Sequence, residues 1–128
     1  MKKLLLIEDD IWLGESFERV LAKEFEVERV ESLQAAIEVS DEHIPDIIVA
    51  DFMFEGRNSI ELLHELASYE DTMRVPVILC STIGRDIQMY ESQLAHYGVV
   101  KVCDKADLTP ETLRRTVREA LAAQVEHP

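Results

Sequence analysis

The sequence lacks any long apolar run. No window of its 128 residues approaches the roughly 20 apolar residues that a membrane-spanning helix requires. The apolar run near the start, residues 4–7, stops at Glu8 and is too short for the h-region of a signal peptide. We therefore expect a cytoplasmic protein that does not insert into a membrane.

Positive charge is also scarce. The chain has 13 basic and 26 acidic residues, which gives a net charge of -13. This balance argues against nucleic acid as a direct partner, because nucleic-acid binding depends on neutralising phosphates with basic side chains. The acidic residues can form an ordinary solvated surface. Alternatively, two or three of them can bind a divalent cation.

Cysteine is rare and histidine is scattered. Cys80 and Cys103 are the two cysteines, both fall in apolar strand-like runs, and there is no CxxC pair. We expect them to be small buried hydrophobic residues in a reducing compartment. No metal-ligand spacing relates the histidines, and we assign them no chemistry. They are His43, His64, His96 and His127.

What the sequence does contain is typical of one globular domain. Apolar residues make up 47% and charged residues 30% of the chain, and we expect a single domain over residues 1–128 with no effector domain in this chain. Five apolar strand-like runs alternate with five amphipathic segments. This alternation predicts a three-layer, doubly wound (βα)5 fold. Its five-stranded parallel sheet would have the flavodoxin-like strand order 2-1-3-4-5.

Local signals mark several element boundaries. The predicted strands are residues 4–7, 26–30, 47–51, 75–80 and 99–103, and the first helix is predicted over residues 11–24. Ser32 is predicted to cap the second helix, and Asn58 with Glu61 to cap the third. Gly98 is predicted to stop the fourth helix. Thr109 followed by Pro110 is typical of the start of a helix.

The central strand leads directly into a carboxylate. Four apolar residues precede Asp51, which is typical of a strand buried on both faces of a parallel sheet. Ligand sites of open α/β sheets collect at the carboxyl ends of such strands. We therefore predict that Asp51 is an oxygen nucleophile that accepts a phosphoryl group.

Other polar residues follow neighbouring predicted strands. Glu8 and Asp9 follow the first, Ser81 the fourth and Lys105 the fifth. Each of these residues alone has an ordinary structural explanation, such as a helix cap or a solvated lysine. Together with Asp51 they predict one crevice with three carboxylates, which calls for Mg²⁺ or, alternatively, Mn²⁺. Lys105 would neutralise phosphoryl charge, and Ser81 would hydrogen-bond a phosphoryl oxygen.

These segments are similar to a known family. Over essentially its full length, the chain resembles the receiver domain of two-component response regulators, including the chemotaxis regulators. The segments that carry the resemblance are LLLIEDD at residues 4–10, DIIVADFM at residues 46–53, PVILCS at residues 76–81, and Asp104-Lys105.

The resemblance implies a metal-dependent phosphorylation site. Asp51 would be phosphorylated by a sensor histidine kinase or a histidine phosphotransfer protein. Asp9 and Asp51 would bind Mg²⁺ directly, Glu8 would act through water, and the backbone carbonyl of Met53 would be a further ligand.

The resemblance also implies a switch. Lys105 would pair with the phosphoryl group, and Ser81 would move toward it. The surface formed by the fourth helix, fifth strand and fifth helix would then change. That surface would bind a downstream protein target or a second copy of the chain. Tyr90, Val102 and Arg118 are candidates for it, although each can equally be an ordinary surface or core residue.

Five positions depart from the family pattern. Glu55 replaces a usual proline, and Ser59 replaces a usual glycine. Thr82 is bulkier than usual and can narrow access to the phosphoryl group, while Val102 replaces the switch aromatic of the fifth strand. Ala106 replaces a proline that normally follows a cis bond. Because a cis bond without proline costs about 3 kcal/mol, we predict a trans bond and a rearranged loop there.

Two alternatives remain open beside the phosphorylation switch. In the switch, the domain is not an enzyme for a separate substrate, although it would catalyse its own phosphorylation and dephosphorylation at Asp51. A phosphatase of the haloacid dehalogenase type also uses an Asp nucleophile with Mg²⁺. That family requires a second Asp two residues later, where this chain has Met53. The other alternative is a degenerate receiver that binds partners without phosphorylation.

Overall fold

Strands and helices alternate along the chain in the computed structural model, which describes residues 1–54, 56–82, 87 and 91–126. The first half contains β1 (Lys3–Ile7), α1 (Ile11–Leu21), β2 (Glu26–Val30), α2 (Leu33–Glu42) and β3 (Ile47–Asp51). The remainder contains β4 (Met53–Phe54), β5 (Arg57–Asn58), α3 (Ile60–Ala67), β6 (Val77–Ser81), α4 (Glu91–His96), β7 (Val99–Asp104), a 3₁₀ turn (Lys105–Asp107) and α5 (Pro110–Glu126).

The main sheet is parallel. Within the described residues, five strands pair in the order β2-β1-β3-β6-β7. This is the predicted flavodoxin-like order, and it is confirmed. A parallel sheet of this kind brings the carboxyl ends of β1, β3, β6 and β7 to one edge.

Helices cover both faces of the sheet. One core cluster joins the strands to α2, α3 and α4 through Ala36, Leu63 and Leu94, among others. The other joins them to α1 and α5 through Phe17 and Leu113. β3 is buried along its whole length, as its apolar run predicts. The three-layer architecture is therefore confirmed.

Two predicted helix starts are confirmed by their hydrogen bonds. Ser32 Oγ accepts the Ala35 N–H at 3.0 Å at the start of α2. Thr109 Oγ1 accepts the Thr112 N–H at 3.1 Å, and Pro110 is the first residue of α5. Each side chain satisfies a backbone donor that the first helical turn leaves without an intrahelical partner.

The prediction for the start of α3 is wrong by one residue. A short antiparallel hairpin of β4 and β5, which we did not predict, includes Asn58 as its last residue. The helix therefore begins at Ile60 with Ser59 as its N-cap. Asn58 Oδ1 still accepts the Ile60 N–H at 3.1 Å. Ser59 has φ -84°, a conformation that does not require the glycine usual there.

Other boundaries shift at turns. α1 ends at Leu21 rather than at residue 24, because the chain turns there to bring Phe25 into the core before β2. β6 begins at Val77 rather than at residue 75, since the Val75 N–H donates to the Thr72 carbonyl in the preceding turn. Three residues named above, Glu55, Tyr90 and His127, lie outside the described residues.

The helices show no membrane-spanning candidate. Within the described part of the chain, no helix is both long and apolar enough to cross a bilayer.

Gly98 ends the α4 segment as predicted, with φ +77°. A Cβ at this position would lie 3.2 Å from the Val75 carbonyl oxygen. Gly98→Ala should therefore lower the free energy of unfolding by at least the roughly 1–2 kcal/mol that a left-handed non-glycine residue costs. Urea denaturation measures this loss.

Gly56→Ala is the matched control. Gly56 has φ +74°, but nothing lies within 4 Å of its added Cβ. Gly56→Ala should therefore lose only the stability that a left-handed backbone conformation costs a non-glycine residue. Equal losses in the two variants would contradict a cost from the approach of Gly98 to Val75.

Candidate functional site

Lys105 connects two buried carboxylates at the carboxyl edge of the sheet. Its Nζ lies 2.7 Å from Asp51 Oδ2 and 3.0 Å from Glu8 Oε2. Asp51 ends β3, Glu8 follows β1, and Lys105 follows β7. Asp51 is 9% exposed and Glu8 2% exposed, so both carboxylates depend on this ammonium for compensation.

The turn between β1 and α1 positions the acidic pair. Glu8 Oε1 accepts the Asp10 N–H at 3.2 Å, and Asp10 in turn caps α1 by accepting the Leu13 N–H at 3.1 Å. Between them, Asp9 is exposed at the rim of the site. Capping therefore fixes the chain direction that sends Glu8 inward and leaves Asp9 facing solvent.

Three carboxylates lie together as expected for a metal site. Glu8, Asp9 and Asp51 each offer an oxygen within 4.8 Å of the other two. Carboxylate oxygens are the donors that Mg²⁺ prefers, and the exposure of Asp9 leaves one side open to the waters that Mg²⁺ retains. Met53 follows two residues after Asp51, and its backbone N–H donates to the Asp51 carboxylate. The donor set fits Mg²⁺ and equally admits Mn²⁺.

Burial dominates the ionisation of the acids. It raises the pKa of Asp51, with Lys105 pulling the pKa down and Asp9 raising it further. It also raises the pKa of Glu8, where Lys105 again opposes burial and Asp51 adds to it. Burial alone would lower the pKa of Lys105, but hydrogen bonds to Asp51 and Glu8 outweigh it and raise that pKa. Lys105 therefore stays charged at neutral pH.

Ser81 and Thr82 stand at the end of β6. Ser81 is the last residue of the strand, is 3% exposed, and follows Cys80, the register partner of Asp51. Thr82 comes directly after the strand and is exposed. The hydroxyl-bearing residue predicted to meet a phosphoryl group, Ser81, is thus buried at the same edge of the sheet as Asp51. The bulkier Thr82 lies on the solvent side of Ser81.

The loop after β7 takes a shape that needs no proline. Lys105, Ala106 and Asp107 form a 3₁₀ turn, and Asp104 Oδ1 accepts the Ala106 N–H at 2.9 Å. Among the described residues no peptide bond is cis, so the predicted trans bond before Ala106 is confirmed. Val102, in place of the usual aromatic, lies on β7 and is 41% exposed.

Sequence reasoning missed two contributors. The first is Asp104, which organises the turn that carries Lys105. An aspartate whose side chain can accept the backbone N–H two residues later is a known turn signal, and this signal could have identified Asp104. The second is the Met53 backbone N–H, which donates to the Asp51 carboxylate, while the Met53 carbonyl as a metal ligand stays a prediction. No sequence signal gives the direction of a backbone N–H.

The comparisons with known proteins agree with this geometry. Residues 4–118 match the family model of the response regulator receiver domain. The chain belongs to this family. Receiver domains act in two-component signalling, and the acidic cluster of this chain lies where such a domain has its phosphorylation site.

Two curated proteins resemble this receiver domain. The chemotaxis protein CheY of Halobacterium salinarum is 27% identical over 89 residues, which cover 69% of this chain and 72% of that protein. The transcriptional regulatory protein MalR of Bacillus subtilis is 35% identical over 81 residues. That match covers 61% of this chain and only 34% of MalR, so it concerns one part of that protein.

Solved structures share the fold of the receiver domain. A CheY-like receiver domain protein from Methanospirillum hungatei has a TM-score of 0.86 and 16% identity, covering 100% of this chain and 99% of that chain. The chemotaxis response regulator CheY4 of Vibrio cholerae has a TM-score of 0.81 and 20% identity, covering 93% and 98%. At these identities the likeness establishes the fold.

Removing the Lys105 ammonium should destabilise the metal-free protein. Lys105→Met leaves two buried carboxylates without their cation, so we expect the free energy of unfolding to fall by about 3 kcal/mol. Added Mg²⁺ should recover part of the loss. Denaturation with and without Mg²⁺ measures both effects. Lys101→Met, which alters an exposed lysine on the same strand, is the control, and equal stability of the two variants would contradict the role given to Lys105.

Replacing Asp51 should change the pH dependence of stability. A raised pKa means that the native state keeps the Asp51 proton to a higher pH than the unfolded chain does. The stability that Asp51 contributes is therefore lost as the pH rises from 3.8, the ordinary pKa of this group, through the raised pKa of the native state. Asp51→Asn should gain stability over the wild type across that window and keep the gain at pH 7.

Urea titrations in EDTA at several pH values measure this difference directly. A stability difference that does not vary with pH, or that favours the wild type at pH 7, would show that Lys105 outweighs burial at this site.

Proposed function

We propose that this receiver domain is a phosphorylation-activated signalling switch. Asp51 accepts a phosphoryl group from a phosphohistidine of a sensor histidine kinase or histidine phosphotransfer protein, in a Mg²⁺-dependent reaction. The observation that supports this most directly is the meeting of Asp51, Lys105 and two further carboxylates at one sheet edge. The altered surface then binds a downstream protein.

The side chains can perform each part of the transfer. A carboxylate oxygen of Asp51 forms the new bond to phosphorus as the bond from phosphorus to the donor imidazole nitrogen breaks, and the imidazole keeps the electron pair. Lys105, 2.7 Å from Asp51, is placed to neutralise charge on the phosphoryl oxygens. Buried surroundings strengthen that interaction. Ser81 supplies a hydroxyl for a phosphoryl oxygen.

A divalent cation is part of this proposal. Asp9 and Asp51 would hold Mg²⁺ directly, Glu8 would act through water, and the Met53 carbonyl would complete the protein ligands. When bound, the ion neutralises charge and orients the phosphoryl group. The exposure of Asp9 fits this arrangement. A metal ion that also contacts the phosphoryl group must lie where a phosphodonor can reach it from solvent.

The output surface is proposed on α4, β7 and α5. Val100 and Val102 are exposed large hydrophobic residues on β7 and are suited to a protein partner or a second copy of the domain. The guanidinium of Arg118 on α5 pairs with Glu24 in the turn between α1 and β2.

The proposal makes the domain a signalling protein rather than an enzyme for a separate substrate. Its own residues catalyse phosphorylation and dephosphorylation of Asp51. We place it in the cytoplasm, where two-component phosphotransfer occurs. Phosphorylation would bias an existing equilibrium between two surface conformations rather than create a new one.

Phosphorylation can be tested with a small phosphodonor. Incubation with Mg²⁺ and acetyl phosphate should add the mass of one phosphoryl group to the intact protein. The adduct should be absent from Asp51→Asn and from wild type in EDTA. Intact mass spectrometry provides the readout.

Lys105→Met separates the switch from simple binding. It should still bind Mg²⁺, since Glu8, Asp9 and Asp51 remain, but it should lose most of the adduct. A wild type that forms no adduct and binds neither Mg²⁺ nor beryllofluoride would overturn the proposal. It would favour a phosphorylation-independent interaction module.

A further inference from the structure

Two thiols lie side by side next to the phosphoacceptor. Cys80 on β6 is the register partner of Cys103 on β7, and on its other side it is the register partner of Asp51. Both cysteines belong to the core cluster beneath α1 and α5, as does Val49. Because side chains alternate along a strand, Asp51 points to the same face as Val49. Asp51, Cys80 and Cys103 therefore form one row across the sheet.

The backbone geometry is suited to a disulfide. Neighbouring strands lie ~4.8 Å apart, and disulfides bridge Cα atoms that are about 4.4–6.8 Å apart. The two side chains occupy paired register positions on neighbouring strands and belong to the same core cluster. Both are free in this structure.

Cys103 has the features of the attacking thiol. The hydrogen bond from Cys80 lowers the pKa of Cys103, and nearby Lys101 acts in the same direction. Cys103 also lies near the end of β7, the edge strand of the sheet, so local opening of that edge can admit a water-sized oxidant. Cys80, on an inner strand, would be the resolving thiol.

We propose that Cys80 and Cys103 form a reversible disulfide in response to a small hydroperoxide. The Cys103 thiolate attacks the peroxide oxygen, which gives a sulfenic acid and releases hydroxide that takes up a proton to become water. Cys80 then attacks the Cys103 sulfur, loses its proton and expels the second water. In sum, two thiols and one hydrogen peroxide give one disulfide and two waters, and a dithiol reductant reverses the oxidation.

The disulfide would act on the phosphorylation site through its neighbours. Ser81 follows Cys80 directly, and Lys105 follows Cys103 by two residues. A disulfide holds Cβ atoms about 3.8 Å apart, closer than the strand spacing, and so draws the ends of β6 and β7 together. Displacing Lys105 from Asp51 should slow phosphorylation severalfold, because transfer depends on positioning. The slower phosphorylation rests on the proposed function, whereas the formation of the disulfide does not.

Intact mass of the full chain tests the disulfide by itself. Hydrogen peroxide, or diamide as a thiol-specific oxidant, should remove two hydrogens and both titratable thiols, and dithiothreitol should restore them. The chain has only two cysteines, so a monomer that loses two hydrogens has this bond. Cys80→Ala and Cys103→Ala should not show the loss. Wild type that keeps both thiols with either oxidant, or forms only intermolecular dimers, would overturn the proposal.

The phosphorylation rate with acetyl phosphate tests the coupling. Oxidised wild type should react severalfold more slowly than reduced wild type, with recovery after dithiothreitol. Met53 is exposed at the site and can itself be oxidised by peroxide, so the Cys80→Ala/Cys103→Ala double variant is the control and should keep its rate. A disulfide that forms without changing the rate would overturn the coupling. Failure of the reduced protein to be phosphorylated would instead count against the proposed function.

Discussion

The ion pair of Lys105 with Asp51 and Glu8 is the interaction on which this site depends. Removing two carboxylates from water costs several kcal/mol per charge, and the ammonium at 2.7 and 3.0 Å returns only part of it. Burial raises the pKa of both acids even with the ammonium beside them. A cation or a phosphoryl group bound at this edge would therefore change the balance of charge among these three groups.

The fold maintains that arrangement from distant parts of the chain. Lys105 is 97 residues from Glu8 and 54 from Asp51 in sequence, and parallel strands bring all three to one edge. Short local devices then set each direction: Asp10 caps α1 beside Glu8, and Asp104 closes the turn that carries Lys105. The bond before Ala106 is trans, and the Ala106 N–H, which a proline would lack, donates to Asp104.

The row of Asp51, Cys80 and Cys103 gives the same edge a second kind of chemistry. The charged Asp51 lies on one side of Cys80, and the soft, polarisable thiol of Cys103 lies on the other. Any change in the thiols acts on the same strand ends that position Ser81 and Lys105. Phosphorylation and oxidation would then be two inputs to one small group of residues.

The sequence by itself determined the fold class and the candidate side chains. The apolar run before Asp51, the cap at Ser32 and the Thr109-Pro110 start are local signals, and local propensity decides them. Tertiary structure decided the rest. It set the register that aligns Cys80 with Asp51 on one side and with Cys103 on the other. The physical reason is that a strand pattern specifies which residues are buried, whereas register and neighbours depend on how distant strands pair.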